Sequence, residues 1–384
     1  KRDFIERALF SIESYHPEVV IEPIILKNDE VYLFDKMYEV MGQIIEKYSG
    51  TDHQLILNLS SGTPQIISAL FALNRINDYN TQAIQVATPN KSANRKYMPL
   101  SSECEQKLFD ENEDNQKDYE DRTIKDEAEK FNHSLIKRHL RNLISSYDYL
   151  AAEELVTRKE YNKLLSKKKL SRLREILNDF VKVFKTQAIL KDIQGYSLTE
   201  VEKKALNYFL MIEVLKERGQ VADVLIKSKS YVEFIIEEKI KKDYPDLIKY
   251  DGTFPKLNEE YKDFEAILGF IDLEFKKAKG IKDEKERIYS PQSTLNLLSY
   301  ENILSYYEVS PELLKSIKLI NSLNGERNKV AHGLSEIDSK LVNSRKLQQT
   351  IDALRFILQD TFDIDDSYFT CYRALNQEML DLLR

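Results

Sequence analysis

No glycine or proline interrupts the chain between Leu100 and Gln194. Since these two residues most often end or break helices, their absence over so long a stretch predicts that it folds into long helices. Apolar residues recur there at helical spacing in three segments, 124–147, 149–165 and 170–189. The whole chain contains 10 glycines and no tryptophan, and 32% of its residues are charged. This composition is typical of a soluble, mostly helical protein.

The residues ahead of this stretch follow an α/β pattern instead. Residues 3–15 and 33–48 are amphipathic and predict helices, whereas short apolar runs predict strands. These runs are residues 19–20 and 24–26 around Pro23, then Gln54–Leu59 and Ala83–Ala87. Because a doubly wound α/β domain ordinarily begins with a strand, we expect an opening strand and its loop ahead of Lys1.

The turn that follows the run Gln54–Leu59 carries the residues of an anion-binding site. Its sequence is Ser60-Ser61-Gly62-Thr63-Pro64-Gln65, and the apolar helix 66–76 comes next. Thr63 is a typical N-cap and Pro64 suits the first helical position, while Gly62 relieves the sharp turn and lets the backbone approach a ligand. Free amides at a helix N-terminus, together with three small hydroxyls, favour the binding of phosphate or a nucleotide.

This turn lacks the features of two common nucleotide-binding classes. It has no lysine at the Walker position, and the chain has no G-x-G-x-x-G segment. An ordinary nucleotide hydrolase or dinucleotide oxidoreductase is therefore not indicated. The alternative interpretation is a well-capped crossover helix that binds nothing.

Near the other end of the chain, an arginine and a histidine stand five positions apart in the segment Asn324–Gly333. Ser310-Pro311 is a typical helix start, and the apolar residues of 313–323 predict a buried helix that runs to Gly325 and delivers this segment. A second apolar helix is predicted over residues 341–357. The segment therefore lies at a junction between two core helices.

Arg327, Asn328 and His332 suit metal-free cleavage of a phosphodiester. The unperturbed pKa of histidine, near 6.5, fits proton transfer, and arginine presents a planar fork to phosphate oxygens. Five residues at about 100° each leave Arg327 and His332 roughly 140° apart around a helix, so we expect two copies of the motif to face each other across a two-fold axis. His332 would move protons, Arg327 would stabilise charge on phosphorus, and Asn328 would orient the imidazole. The alternative is a surface arginine beside a helix-terminal histidine.

The net charge of -7 is unevenly distributed along the chain. Residues 103–121 hold nine acids and two lysines, so the remainder is close to neutral. Residues 158–174 hold eight lysines and arginines and one glutamate, a basic stripe that could track an RNA backbone. The alternatives are a solvated helix face or a partner for the acidic segment.

The two cysteines, Cys104 and Cys371, form neither a close pair nor a metal-ligand spacing. A disulfide scaffold and a zinc ribbon are therefore excluded, and no metal site is predicted. Apolar runs are far shorter than a membrane span, and no signal-peptide pattern opens the chain. We expect a cytoplasmic protein with no membrane partner.

Two motifs together resemble a known family. The strand with Asn58-Leu59-Ser60-Ser61-Gly62-Thr63-Pro64-Gln65 resembles the ligand-binding motif of CARF domains, and Arg327-Asn328-Lys329-Val330-Ala331-His332 is similar to the R-[polar]-x-x-x-H motif of HEPN ribonucleases. In this order, with helical material between them, they resemble the Csm-type accessory ribonucleases of type III CRISPR systems over nearly the whole chain.

The resemblance implies a fold and an activity. It implies a Rossmann-like CARF domain over residues 1–105, a helical connecting domain over 106–195 and an all-helical HEPN ribonuclease domain over 196–384. The sequence Ser197-Leu198-Thr199-Glu200 is a capping box that predicts the first helix of this last domain, and Gly219 ends that helix. It also implies a homodimer that binds a cyclic oligoadenylate as allosteric activator and then cuts single-stranded RNA without metal.

The resemblance assigns roles to residues as well. Ser60, Ser61, Gly62, Thr63 and Gln65 would face the cyclic oligoadenylate, and Thr63 is a candidate for assisting slow cleavage of that ring. The absent opening strand and loop depart from the family pattern, because they also contact the ligand in such proteins. Two alternatives stay open: a nucleotide-sensing regulator that does not cut RNA, and a HEPN-type RNA-cleaving toxin that needs no messenger.

Overall fold

A computed structural model of the chain describes residues 9, 12–14, 16–25, 30–49, 54–77, 79–87, 117–281, 287–333, 336–337 and 343–384. For residues 278–279 and 330–333 it describes the backbone alone. Contacts divide the chain into two units, residues 1–132 and residues 133–384.

Among its described residues, the first unit contains a three-stranded sheet. Strand β1 (Leu55–Asn58) pairs in parallel with β2 (Thr81–Val86), and β2 pairs antiparallel with β3 (Thr123–Lys125). The crossover between the parallel strands contains α2 (Pro64–Ile76), which packs against α1 (Phe34–Ser49). Elements α1, β1, α2 and β2 confirm four predictions made from the sequence.

The strand predicted around Pro23 is wrong over residues 19–25. This segment has no regular secondary structure, and Val20 and Ile25 expose 95% and 75% of their surface. An apolar run becomes a strand only when a neighbour completes its hydrogen-bonded ladder, and no ladder bond reaches residues 19–25 from the described part of the chain. Residue 26 lies outside the described residues, and the predicted helix 3–15 is described, as helix, only at residues 9 and 12–14.

The helix predicted from Ile124 starts later than expected. Ile124 is the central residue of β3 and lies opposite Gln85 of β2. Threonine and isoleucine at positions 123 and 124 suit a strand at the edge of a sheet, so pairing overrides the helical spacing here. The helix α3 begins at Glu129.

The second unit is predominantly helical. Its helices, in chain order, are α3 (Glu129–Ser145), α4 (Tyr149–Thr157), α5 (Lys167–Thr186), α6 (Lys191–Gln194), α7 (Glu200–Glu217), α8 (Val221–Asp243), α9 (Phe264–Lys279), α10 (Leu297–Tyr306), α11 (Pro311–Ser322), α12 (Asn324–Gly333), α13 (Ser344–Thr361) and α14 (Cys371–Leu382). Short 3-10 turns span Lys159–Tyr161 and Asp366–Thr370. The predicted order, an α/β part followed by an all-helical part, is confirmed.

One hydrophobic cluster joins these helices, from Leu140 to Leu383. Aromatic contacts link its early and late parts: the Tyr149 and Phe180 rings stack with centroids 4.2 Å apart, and Phe180 meets the edge of Tyr372 at 5.0 Å. Residues on both sides of position 195 thus share one core. The predicted domain boundaries at residues 105 and 195 stay a prediction.

Two local features of this unit differ from the prediction. The capping box starts at Thr199 and not at Ser197, because Thr199 Oγ1 accepts from Glu202 N at 3.3 Å while the Glu202 carboxylate accepts from Thr199 N at 2.8 Å. A hairpin, β4 (Ile248–Asp251) and β5 (Phe254–Leu257), was not predicted. Its signal was Gly252 at the first position of the two-residue turn Gly252-Thr253, where its φ is 62°.

Candidate functional sites

Helix α11 positions the segment that carries Arg327 and His332. Ser310 Oγ accepts from Leu313 N at 3.2 Å, and Pro311 follows at the first helical position. The buried side chains of Leu313, Ile317 and Ile320 anchor one face of this helix in the core. The N-cap and the apolar face predicted from the sequence are therefore confirmed.

The Arg/His segment forms a helix of its own instead of following a helix end. Helix α11 stops at Ser322, buried Leu323 marks the break, and α12 begins at Asn324, so Gly325 lies inside a helix and does not end one. The amide of Arg327 donates to Leu323 O at 2.9 Å, which carries the helical pattern across the break. Arg327, Asn328 and the backbone of His332 thus share one helix, and ideal geometry sets positions 327 and 332 roughly 140° apart.

Arg327 is half-buried and directs its guanidinium along α12. Its Nη1 donates to Asn328 Oδ1 at 3.1 Å, while its Nε is buried and has no hydrogen-bond partner among the described residues. Leaving such a donor unsatisfied costs about 1–3 kcal/mol, more when the group is charged. A phosphate oxygen would remove this penalty, because guanidinium groups bind phosphate through paired N–H donors.

Asn328 and His332 have separate outcomes. Asn328 is exposed, and its side-chain oxygen accepts from Arg327. The side chain of His332 lies outside the described residues, so the predicted bond between Asn328 and the imidazole stays a prediction. The described geometry brings together Arg327 and Asn328.

A buried polar network that was not predicted from the sequence fixes the start of α12. Asn321 Nδ2 donates to Glu301 Oε2 at 2.9 Å, and Asn321 Oδ1 accepts from Asn324 Nδ2. Glu301 is 8% exposed, so this contact satisfies a buried carboxylate. Glu326, 7% exposed, pairs with Lys329 Nζ at 2.5 Å one turn later. Spacing along one helix gives no signal for the contact between Glu301 and Asn321, because the two residues lie on α10 and α11.

The turn after β1 has the predicted cap geometry. Thr63 Oγ1 accepts from Ile66 N at 3.3 Å, and Pro64 opens α2. Gly62 has φ 123°, a conformation that side-chain-bearing residues rarely adopt. The turn therefore depends on glycine at this position.

The turn presents polar groups at the carboxyl end of β1. Ser60, Ser61, Gly62 and Thr63 are exposed, and Gln65 is partly buried. The amides of Ser61, Gly62 and Thr63 donate to no acceptor among the described residues. Such free donors at a helix N-terminus can bind an anionic ligand.

Asn58 is a functional candidate that was not predicted from the sequence. Its Oδ1 accepts from Ser60 N at 2.9 Å, and Ser60 Oγ accepts from the amide of Val86 in β2. These bonds hold the turn against the neighbouring strand. The signal for this contact was the position of Asn58 two residues before Ser60, because asparagine side chains often accept from the backbone amide two residues later.

The basic stripe divides into structural and solvated charges. Arg172 donates to both carboxylate oxygens of Glu378, at 2.7 and 3.1 Å, and Arg174 donates to Val156 O and Asn162 Oδ1. The five lysines are exposed and form no ion pair within the described part of the chain; they are Lys159, Lys163, Lys167, Lys168 and Lys169. Arg172 and Arg174 are structural, and the RNA-tracking interpretation now rests on the five lysines and the exposed Arg158.

Two kinds of feature are absent from the described residues. No group of histidine, cysteine, aspartate and glutamate side chains there could hold a metal ion. No helix there is long and apolar enough to cross a membrane.

Two domain families match the chain. The Cas_Csm6 HEPN domain matches residues 183–380, and the Cas_Csm6 CARF domain matches residues 18–123. The HEPN match contains α11 and α12, and the CARF match contains β1 and the turn that follows it.

Relatives resemble the chain over nearly its whole length. It is 60% identical over 383 residues to the CRISPR system endoribonuclease Csm6 of Streptococcus thermophilus, covering 100% of this chain and 90% of the relative. It is 28% identical over 378 residues to the protein of that name from Enterococcus italicus, covering 97% and 85%. The solved structure of Enterococcus italicus Csm6 bound to cyclic hexa-2'-fluoro-hexa-dAMP matches with a TM-score of 0.66 and 25% identity, over 94% of this chain and 82% of that chain.

Proposed function

Because this chain belongs to the Csm6 family of CRISPR endoribonucleases, we propose that it cleaves single-stranded RNA when a cyclic oligoadenylate binds its CARF domain. The proposal includes a homodimer, cleavage without metal and action in the cytoplasm. Its alternatives are a regulator that binds RNA without cutting it and a toxin that cuts RNA without a messenger.

One observation of the structure carries the nuclease assignment. Arg327 keeps a buried Nε–H without an acceptor on the same short helix that holds His332. A charged donor left unsatisfied in this way is stabilised by an anion, and the RNA phosphate supplies one. The position of His332 one and a half turns later puts a proton-transfer group on the same element.

The chemistry needs no group from outside the protein and the RNA. The 2'-hydroxyl attacks the neighbouring phosphorus, the bond between 2'-oxygen and phosphorus forms, and the bond between phosphorus and the 5'-oxygen breaks. His332 accepts the hydroxyl proton or donates a proton to the leaving 5'-oxygen, and Arg327 stabilises the added negative charge. The products are a 2',3'-cyclic phosphate and a 5'-hydroxyl.

The proposed homodimer follows from the helix geometry. Side chains about 140° apart on one helix do not converge on one phosphate. Two α12 helices related by a two-fold axis would bring an arginine from one protomer and a histidine from the other to the same side. Asn328, which accepts from Arg327 Nη1 at 3.1 Å, would hold the guanidinium in position.

The ligand-binding part of the proposal rests on the turn after β1. Ser60, Ser61, Gly62, Thr63 and Gln65 are the proposed contacts to the cyclic oligoadenylate. The Enterococcus italicus relative binds a cyclic hexanucleotide analogue, which supports the same class of ligand here. We also propose slow ring cleavage: Thr63 Oγ1 accepts from Ile66 N, which leaves its hydroxyl proton free to donate to the ring.

A fluorescent-RNA assay in EDTA, with cyclic tetra-adenylate, cyclic hexa-adenylate or no messenger, tests the proposal. We expect cleavage that depends on one of the two rings and persists in EDTA. Equal rates with and without messenger would favour the toxin, and loss of activity in EDTA would contradict metal-free cleavage.

Variants Arg327→Ala and His332→Ala separate the enzyme from the regulator. Both should lose turnover while they keep affinity for RNA, measured by fluorescence anisotropy. Lys318→Ala is the control, because Lys318 is exposed on the neighbouring helix α11. Full turnover by both histidine and arginine variants would overturn the assignment.

A further inference from the structure

A small aromatic cavity lies between α7 and α8, on the unit that carries the proposed active helix. Its volume is about 190 Å³, and its lining residues are Lys204, Tyr208, Ser230, Tyr231 and Phe234. A drug-sized ligand needs about 300 Å³ or more. This cavity instead suits a single planar ring system.

Three aromatic rings line the cavity. The rings of Tyr208 and Tyr231 are nearly parallel, 4° apart, with centroids separated by 6.0 Å. Tyr231 is 2% exposed, whereas Tyr208 and Phe234 are only partly buried. A fixed inner ring therefore supports outer rings that remain accessible for stacking, which is how proteins commonly hold the bases of single-stranded nucleic acids.

Two lysines sit over these rings. Lys204 Nζ lies 5.1 Å from the centroid of Phe234, and Lys227 Nζ lies 5.6 Å from the centroid of Tyr208. Neither lysine forms an ion pair within the described residues. Each ammonium group is thus held beside an aromatic face without a carboxylate to neutralise it, so the rim of the cavity favours an anion.

One buried hydroxyl in the cavity lining has no hydrogen-bond partner among the described residues. It is Tyr231 Oη, on a side chain that is 2% exposed. Buried hydroxyls usually have partners, and the polar edge of a base offers both donors and acceptors.

We propose that this cavity binds a base of the single-stranded RNA substrate, with the lysines at the flanking phosphates. Stacking rings and unpaired cations together match a nucleotide chain better than an apolar partner, which would bury the charges of Lys204 and Lys227. Helix α8 also packs against α12, so a strand held here would be attached to the helix that supports the proposed active residues. The inference rests on the proposed function, because it takes RNA as the substrate.

The first test removes the aromatic face. Tyr208→Leu keeps an apolar side chain and should weaken binding of a short RNA about tenfold, measured by fluorescence anisotropy in a His332→Ala background. The same variant should bind an oligomer with abasic sites as tightly as the parent does, since that probe has no base to stack. An equal loss of affinity for both probes would overturn the proposed stacking role of Tyr208.

The second test uses the salt dependence of binding. The double variant Lys204→Gln and Lys227→Gln should lower the slope of log affinity against log salt by about 1.4, or about 0.7 for each lost phosphate contact. The control is Lys182→Gln with Lys185→Gln, which makes the same charge change on exposed residues of α5. An unchanged slope, or an equal fall in the control, would contradict the proposal.

Further arms identify other occupants of the cavity. If Tyr208→Leu raised the messenger concentration that half-activates the enzyme and left RNA affinity unchanged, the cavity would be assigned to the cyclic oligoadenylate. If Tyr208→Leu dissociated the oligomer that the parent protein forms, as measured by light scattering, and left RNA affinity unchanged, the cavity would be assigned to a second copy of this chain. Either result overturns the inference. If the parent protein binds RNA through this cavity but never cleaves it, the proposed function fails and the inference stands.

Discussion

The turn after β1 and the helix α12 are built in different ways. The turn is held mainly by contacts within a few residues, such as Asn58 to Ser60 and Thr63 to Ile66. Helix α12 depends on Glu301, which lies on another helix and reaches it through Asn321. The proposed chemistry on α12 also requires a second copy of the chain. A site held by local contacts can be predicted from the sequence. A site that depends on distant residues or on a second copy of the chain can be predicted only from the folded and assembled protein.

The largest expected effect comes from changing the shape of the cation on α12. Arg327→Lys keeps the positive charge but removes the planar fork and the buried Nε–H. We expect kcat at saturating messenger to fall about 100-fold, the cost of losing one donor to a developing anion. Single-turnover cleavage measures it.

The matched control for this change is Lys318→Arg, a reversed exchange at an exposed position of α11. The messenger concentration for half-activation should be the same in both variants, because the turn after β1 is unchanged. A tenfold shift in that concentration would show that the two sites are not built independently.

The next effect belongs to the turn. Gly62→Ala forces a side-chain-bearing residue into φ 123°, although the nearest side-chain atom would lie 3.5 Å from the new Cβ, which is ordinary contact. Backbone strain of this kind costs on the order of 1–3 kcal/mol. We expect the half-activating messenger concentration to rise about tenfold, with kcat at saturation unchanged.

Titration of messenger against RNA cleavage measures this shift. Gly219→Ala gives a comparison with milder backbone strain, since Gly219 has φ 69°, in the left-handed region at the end of α7, and open space around it. That variant should lower the thermal stability of the protein and leave the half-activating concentration unchanged. If Gly62→Ala lowered kcat alone, the turn would not be the messenger site.

The sequence predicted the local parts of both sites well. The cap at Thr63, the helix after it, and the cap at Ser310 each depend on residues within three positions, and all are present as expected. The need for glycine at position 62 also follows from one turn. Local hydrogen bonds and backbone angles can therefore be predicted without knowing the rest of the fold.

The failed predictions depend on distant partners. Residues 19–25 are mostly apolar but have no strand beside them in the described region, and Ile124 joins a sheet because β2 offers an edge. The contact between Glu301 and Asn321 spans two helices, so spacing along one helix could not indicate it. The side-chain position of His332, outside the described residues, stays a prediction.

A smaller effect should follow from cutting the network beneath α12. Asn321→Ala removes the donor to Glu301, whose carboxylate is 8% exposed. We expect the free energy of unfolding to fall by about 1–2 kcal/mol, since a buried acceptor loses a partner. Urea unfolding measures the change, with Lys318→Ala as the exposed control on α11. An unchanged midpoint would mean that the start of α12 does not depend on this contact.

The smallest effect concerns a half-buried acid far along the chain from the turn. Glu213 lines a cavity with Tyr147, Phe369 and Arg373. Burial raises the pKa of this carboxyl, and the positive charges of Arg373 and Arg355 offset the rise only in part. The folded protein thus holds the proton more tightly than the unfolded chain, so the stability that the protonated carboxyl contributes is present at low pH and is lost as pH rises through the folded-state pKa.

Glu213→Gln should therefore stabilise the protein at neutral pH. Glutamine has a similar shape and stays uncharged, so we expect the midpoint of thermal unfolding to rise by about 2 °C at pH 7. The gain should shrink as the pH falls toward 4, where the parent carboxyl is protonated as well. Glu200→Gln on the same helix is the control, because Glu200 is exposed and pairs with Lys203 at 3.2 Å. A gain in the unfolding midpoint that grows as the pH falls would contradict the assigned direction of the pKa shift. A change in the half-activating messenger concentration of Glu213→Gln would show that the charge at position 213 affects the turn after β1.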